Sequence, residues 1–347
     1  MSAASTTAAT PPPTTSVATT ATPTSVTTTR EVVGRVRALA SSPNAARGPS
    51  AVWSGQVLYA WFGTAAGAYT PSTDVWSTLP TPNLSTRTDA IVAWTASMLV
   101  VWGGPDANGA RFDPTSGAWR AVAAAPITSR TRTWSAFAAS DRELYVWGGA
   151  NADGSVTAEG AAYDPVADRW RLLPAAPIEG RSSASAVWSG SELILWGGTT
   201  TPAGNAGGRS DGAAYNPKTD TWRVLARSPL SAGITSAVWN GREVLYGPTR
   251  SGDANGTFAS TTAAAYDPAT DAWRRLDLHI GHPGFLSGWD GEHLVLFAKG
   301  GGVAVDLRTG TPTDIADDLS IPTNGAIVST EDRIFLLGDG KLVEYTR

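Results

Sequence analysis

One pattern returns along this chain at a nearly constant interval, and it constrains the fold more than any single segment does. An aromatic residue is followed seven residues later by Trp: Tyr69 with Trp76, Phe112 with Trp119, Tyr163 with Trp170, Tyr215 with Trp222, and Tyr266 with Trp273. The Trp positions step by 43, 51, 52 and 51 residues. Ahead of each pair runs a second block, typified by Ser185-Ala186-Val187-Trp188-Ser189-Gly190 leading to Leu193-Ile194-Leu195-Trp196-Gly197-Gly198. Comparable blocks occupy Ser50 to Gly63, Asp89 to Gly104, Ser135 to Gly149, Ser236 to Gly247 and Ser287 to Lys299. A period of this length, built from short apolar and aromatic runs between tight turns, is that of a four-stranded sheet repeated around a ring.

Each unit reads as four strands. In the best-formed one, Ser183 to Trp188 (strand a) and Glu192 to Trp196 (strand b) flank a Ser189-Gly190 hairpin turn. Ala213 to Asn216 (strand c) and Thr221 to Leu225 (strand d) flank Pro217-Lys218-Thr219-Asp220. Helical periodicity is absent. Six units begin near Ser50, Thr88, Thr131, Ser182, Gly233 and Gly284; a seventh, Asn324 to Arg347, ends before a fourth strand. Gly34 to Gly55 aligns without gaps on Asp220 to Gly241, placing Leu39 on Leu225, Pro43 on Pro229 and Trp53 on Trp239. A strand around Arg35 to Leu39 is therefore expected to complete the last unit. The expectation is an all-β, seven-bladed propeller whose last blade is closed by the N-terminal strand, which leaves no open sheet edge between first and last blades.

These residues resemble Kelch repeats. The family pattern is an apolar run ending in Gly-Gly, then Tyr and Trp with six residues between. It is complete at Leu193 to Gly198 with Tyr215 and Trp222, and the units holding Gly148-Gly149 and Gly103-Gly104 follow it, with Phe112 for Tyr in the latter. Phe62-Gly63, Gly247-Pro248, Lys299-Gly300 and Gly338-Asp339 stand at the other Gly-Gly positions, and the sixth unit has Val305 and Pro312 for Tyr and Trp. The resemblance, to bacterial secreted-type Kelch propellers with distant likeness to the sialic-acid mutarotase and galactose-oxidase-like enzymes, covers about residues 34 to 347. It implies a fold and leaves activity open, because propellers host unrelated functions.

Composition narrows the chemistry. Residues 1–30 are dominated by Ser, Thr, Pro and Ala with Arg30 as their one charged side chain, so they are expected to be a disordered tail or linker, with residues 31–347 forming the propeller. Such a tract resembles the stalk of an exported protein. The expected location is extracellular or at the cell envelope, although no basic start followed by an apolar stretch is visible in this chain; a cytoplasmic location is the alternative. With no Cys, disulfides, thiolate metal sites and the Cys–Tyr crosslink of a copper-radical oxidase are excluded. The three His (His279, His282, His293) make a metal centre unexpected, so no metal or cofactor is expected. A net charge of −4 offers no basic surplus for nucleic acid, and no apolar run is long enough for a transmembrane helix. Asp106-Ala107-Asn108-Gly109, Asn151-Ala152-Asp153-Gly154 and Asp253-Ala254-Asn255-Gly256 read as turns and lack a full calcium ligand series. A monomer is expected.

Strand parity puts the a–b and c–d turns on one face of the ring, and the b–c loops and d–a connections on the other. Minimal turns such as Ser54-Gly55 and Asn240-Gly241 make the first face plain, whereas Ala150 to Glu159, Thr199 to Asp211 and Pro248 to Thr262 are long loops on the second. The d–a connections also carry a recurring basic position: Arg47, Arg87, Arg130 and Arg181, with Arg132 close by and His282 at the comparable place in the sixth unit. Arg forks suit carboxylate, phosphate or sulfate ligands; the competing reading is internal pairing within the repeat. The functional expectation is a binding or scaffold module that recognises a glycan, a peptide, an acidic small molecule or a protein partner through Arg47, Arg87, Arg130, Arg132, Arg181 and His282. The alternative is a metal-independent carbohydrate enzyme like the mutarotase, with no catalytic residue assignable. An enzyme should gather a carboxylate and free Arg around a deep pocket, and a binding module should show a shallow face with exposed aromatics.

Overall fold

The computed structural model describes residues 34–347 apart from 45–47, 88, 128–133, 202–206, 250–261, 279–285, 299–300, 316–321 and 323–324. The expected tail lies outside the described residues. Among those described there is no helix, and the strands form seven four-stranded antiparallel sheets.

Blade 4 shows the unit. Its strands are Ser185–Trp188, Leu193–Trp196, Gly212–Asn216 and Thr221–Val224, each paired with the next in chain order. The expected start at Ser183 gives way to Ser185, because Ser183 is a turn residue with φ 54° and cannot extend the ladder. The first strands of the blades follow one another in a closed circle: Ser50–Trp53, Ile91–Thr95, Ala136–Ala139, Ser185–Trp188, Ala237–Trp239, Leu286–Trp289 and Gly325–Ser329, with the last returning to the first. These strands line the central channel. The fourth strands lie outermost and stay largely exposed, as at Val75, Leu172 and Val224. In blade 6 that outer position accepts Pro312, whose missing N–H costs nothing on a solvent-facing edge.

Blade 7 confirms the expected closure. Its strands Gly325–Ser329, Arg333–Gly338 and Lys341–Thr346 are joined by Arg35–Ala38, with Arg35 opposite Thr346 and Ala38 opposite Val343. Glu344, nearly buried, takes Arg37 Nε and Nη2 on Oε2 at 3.1 and 2.8 Å, and Arg333 Nη1 on Oε1 at 2.9 Å.

No blade owns a core. The seven apolar clusters lie between blades: Trp61, Val92 and Leu99 join blades 1 and 2, Trp196, Leu230 and Tyr246 join blades 4 and 5, and Leu39, Leu58 and Phe335 join blades 7 and 1. The repeating aromatics form the staples between them. Tyr215 Oη donates to Asp220 Oδ1 at 2.6 Å within blade 4, and Trp222 Nε1 donates to Pro174 O of the preceding connection at 2.9 Å. Tyr69, Tyr163 and Tyr266 pair with Asp74, Asp168 and Asp271 in the same way. Trp76 Nε1 donates to Ala40 O at 2.9 Å, so the N-terminal segment staples blade 7 to blade 1 as Ala226 O, which accepts from Trp273, staples blade 4 to blade 5. Tyr345 lies on the third strand of blade 7. Its hydroxyl donates to Asp290 Oδ2 of blade 6 at 3.3 Å.

The Gly-Gly pairs are required by backbone approach. Gly197 and Gly198 have φ of 70° and 87°, and a Cβ on Gly198 would sit 2.7 Å from Ser182 O.

Candidate functional site

At the loop face, Arg87 and Arg181 are present at the d–a connections but are not available to a ligand. Both are 1% exposed. Arg87 Nε donates to Ser85 O, Nη1 to Gly103 O and Asn108 O, and Nη2 to Ser85 Oγ and Asn108 Oδ1, all within 3.2 Å. Burial pulls its guanidinium below the usual value, with the nearby Asp106 charge opposing. Arg181 Nε donates to Glu179 O, Nη1 to Gly197 O and Asp211 Oδ1 at 3.2 and 2.7 Å, and Nη2 to Asp211 Oδ2 at 3.1 Å. The Arg181 contact in turn holds the Asp211 carboxyl below its ordinary range.

The backbone of each Arg is engaged as well: Arg87 N donates to Gly63 O of blade 1, and Arg181 O accepts from Gly149 N of blade 3. The repeat position thus ties the b–c loops of two successive blades together. Arg87 and Arg181, expected from the sequence to bind an anion, serve this tie in the structure, each guanidinium nitrogen having at least one internal acceptor. Arg47, Arg130, Arg132 and His282 lie outside the described residues, as do 250–261 of the longest loop. Two aromatics remain open at this end: Trp134 is 40% exposed with φ 52°, and Phe137 on the inner strand of blade 3 is 39% exposed.

The turn face, expected to be plain, carries a cavity of about 1360 Å³ at the channel mouth. It is lined by blades 5, 6, 7 and 1, among them Trp53, Trp239, Trp289, Gln56, Asn240 and Ser329. Ser54 N donates to Val57 O and Asn240 N to Glu243 O, so the antiparallel alternation turns the N–H and C=O groups of Trp53 and Trp239 away from their own sheets, toward the channel. The channel wall is consequently an array of strand edges able to hydrogen-bond. Trp289 N already donates to Ser329 Oγ at 2.9 Å across blades.

The indoles come from one repeat column at the end of strand a. Trp94 and Trp188 in that column lie stacked on Tyr59 and Tyr145, with centroids 5.1 and 5.3 Å apart. Trp53 is only tilted against Phe335, and Trp239 and Trp289 back onto mainly aliphatic wedges. Blade 7 has Ser329 at this position, and the room that a further indole would take opens into the cavity. Five blades carry Trp in this column, and it is interrupted at Ser329 of blade 7 and at Ala139 of blade 3, an irregularity visible in the sequence.

The charged lining is Glu331, Asp332 and Arg333. Arg333 is clamped by Asp332, Nε to Oδ1 and Nη2 to Oδ2 at 3.0 and 2.9 Å, and by Glu344. The pairing holds the Asp332 carboxyl below its usual range. Around the same face runs a ladder that sequence reading did not detect. Glu143 takes Arg171 Nε and Nη2 at 3.0 and 2.9 Å while Arg171 Nη1 donates to Tyr215 Oη of the next blade at 2.8 Å; Glu192, Arg223 and Tyr266 repeat the arrangement. Burial, then the Asp220 contact, pushes the Tyr215 hydroxyl up to about 12, so it stays a donor. Among the described residues no three His, Asp or Glu side chains gather as a metal-binding group.

Seven blades in a closed ring, with Gly-Gly strand ends and Tyr–Trp staples, define a Kelch-repeat β-propeller. No family model matches the chain. Kelch-like protein 35 of Mus musculus is 30% identical over 164 residues, which is 46% of this chain and 25% of that protein, so the match spans about a quarter of the relative's length. A solved structure of YjhT has a TM-score of 0.60 to this chain, covering 80% of it and 99% of YjhT at 14% identity, a likeness of fold.

Proposed function

We propose that this propeller is a ligand-binding module and that its ligand enters the channel mouth on the a–b turn face. The cavity of about 1360 Å³ carries the reading: it is large enough for a small molecule or a short chain segment, and it combines half-buried indoles with amide side chains and unpaired strand edges. The turn face is thereby preferred over the loop face, where the described Arg side chains are engaged by the fold. The enzymatic alternative, a mutarotase-like enzyme acting on a carboxylated sugar, needs a free cation beside a carboxylate. Arg333, the cation of this cavity, is already held by two carboxylates.

A screen of neutral, amino and acidic glycans and short peptides against the full chain, read by Trp fluorescence, tests the site. Asn240→Ala is expected to weaken any ligand found by roughly tenfold, whereas Trp134→Ala at the opposite mouth should leave it unchanged. The reverse pattern would move the site to the loop face.

A further inference from the structure

Resting on the reading of the cavity as a binding site, we infer that its ligand is a small organic ammonium ion. Three indoles line one space, and among the described residues no protein cation lies over any of them; the one cation–ring contact is Arg171 on Tyr215, elsewhere on the ring. An indole face is the strongest aromatic partner for a cation. Trp239 and Trp289 also lack the tyrosine that covers their counterparts Trp94 and Trp188.

The charge of the cavity points the same way. Glu331 is exposed in the a–b turn of blade 7 and has no ion-pair partner among the described residues. Asp332 and Arg333 neutralise one another, and Glu344 is matched between Arg333 and Arg37. Counting Glu331, Asp332 and Glu344 against Arg333 and Arg37 leaves one negative charge, with no unpaired cation among the lining residues for an anion. An acidic ligand would therefore meet repulsion where an ammonium ion meets both a carboxylate and aromatic faces. Gln56 and Asn240 at the rim supply neutral acceptors and donors for the polar remainder of such a molecule.

The test uses three probes of one shape on the full chain: choline, its neutral isostere 3,3-dimethylbutan-1-ol, and the anion 3,3-dimethylbutanoate. Indole N–H NMR signals are assigned through Trp53→Phe, Trp239→Phe and Trp289→Phe. Choline is expected to shift these signals and to bind at least roughly tenfold more tightly than the isostere. Glu331→Gln, a change in an exposed turn that leaves packing intact, should remove about threefold or more of that preference and most of its salt dependence without altering isostere binding. If the isostere or the anion shifts the same signals as strongly as choline, the charge class is wrong while the cavity remains a binding site. If no probe shifts any of the three indoles, the ammonium assignment is overturned, and the glycan and peptide screen decides the cavity reading separately.

Discussion

Asp168 sits in a left-handed turn with φ 50°, a conformation Asp and Asn tolerate better than other side chains. Its carboxylate takes Arg111, the Tyr163 hydroxyl and the Ala123 amide, and the Arg111 contact is the main reason its pKa falls to about 2. A carboxyl whose pKa is lower folded than unfolded contributes stability above its unfolded value and loses it as pH falls through the folded one. The window here runs from about pH 4 down to about 2, and with the side chain one-third exposed the contribution is on the order of 1–2 kcal/mol. Asp168→Asn is expected to be less stable than the native chain at pH 7 and to lose less between pH 4 and 2, as read by urea unfolding at each pH. Equal acid losses would mean that the Arg111 and Tyr163 contacts of Asp168 carry no pH-dependent stability. Arg181→Ala should cost about 2–4 kcal/mol, since it strips the donor from the Gly197 and Glu179 carbonyl oxygens and leaves Asp211 unmatched. A fully stable Arg181→Ala variant with lost ligand binding would return this residue to the role expected from sequence.

The closing strand Arg35–Ala38 is short and mostly exposed, yet it contributes a full edge to blade 7 and positions Ala40 and Leu39 against blade 1. Leu39 N donates to Leu342 O at 2.9 Å, and Ala40 N to Asp74 Oδ1 at 2.9 Å. The energetic weight of this element therefore lies in what it joins and less in its own side chains. Removing residues 1–30 is expected to leave the melting temperature unchanged, whereas removing residues 1–40 should lower it by several degrees or prevent folding. Identical melting of the two truncations would mean that the closure carries no stability.

At the scale of the ring, every apolar cluster needs two blades, and blade 7 needs both chain ends. Deleting one blade exposes two wedge surfaces, so a smaller ring is not available as a stable fallback. Loss of Gly325–Arg347 should unfold the whole propeller, and the full chain should melt in a single transition by both Trp fluorescence and far-ultraviolet circular dichroism. A six-bladed remnant with native fluorescence would contradict this. Ring geometry also places the cavity: blades 5, 6, 7 and 1 meet at the channel mouth, and there blade 7 presents Ser329 where its neighbours present Trp289 and Trp53.

The architecture was legible because a propeller repeats its chemistry at a fixed interval. The Tyr–Trp offset, the Gly-Gly ends and the alignment of Gly34–Gly55 on Asp220–Gly241 each depend on local order in the chain, so blade count and closure followed from sequence alone. The functional surface was not legible in the same way. Recurrence of Arg87 and Arg181 suggested a ligand cluster, yet recurrence is what the fold demands of a staple, and only the packed ring shows that Gly103, Asn108 and Asp211 take their donors. The cavity depends on Trp53, Trp239, Trp289 and Ser329, which lie up to some 276 residues apart in the chain and meet only when the channel closes. Side-chain identity and spacing along the chain determine the blade; distance across the ring, set by tertiary packing, determines which of those side chains a ligand can reach.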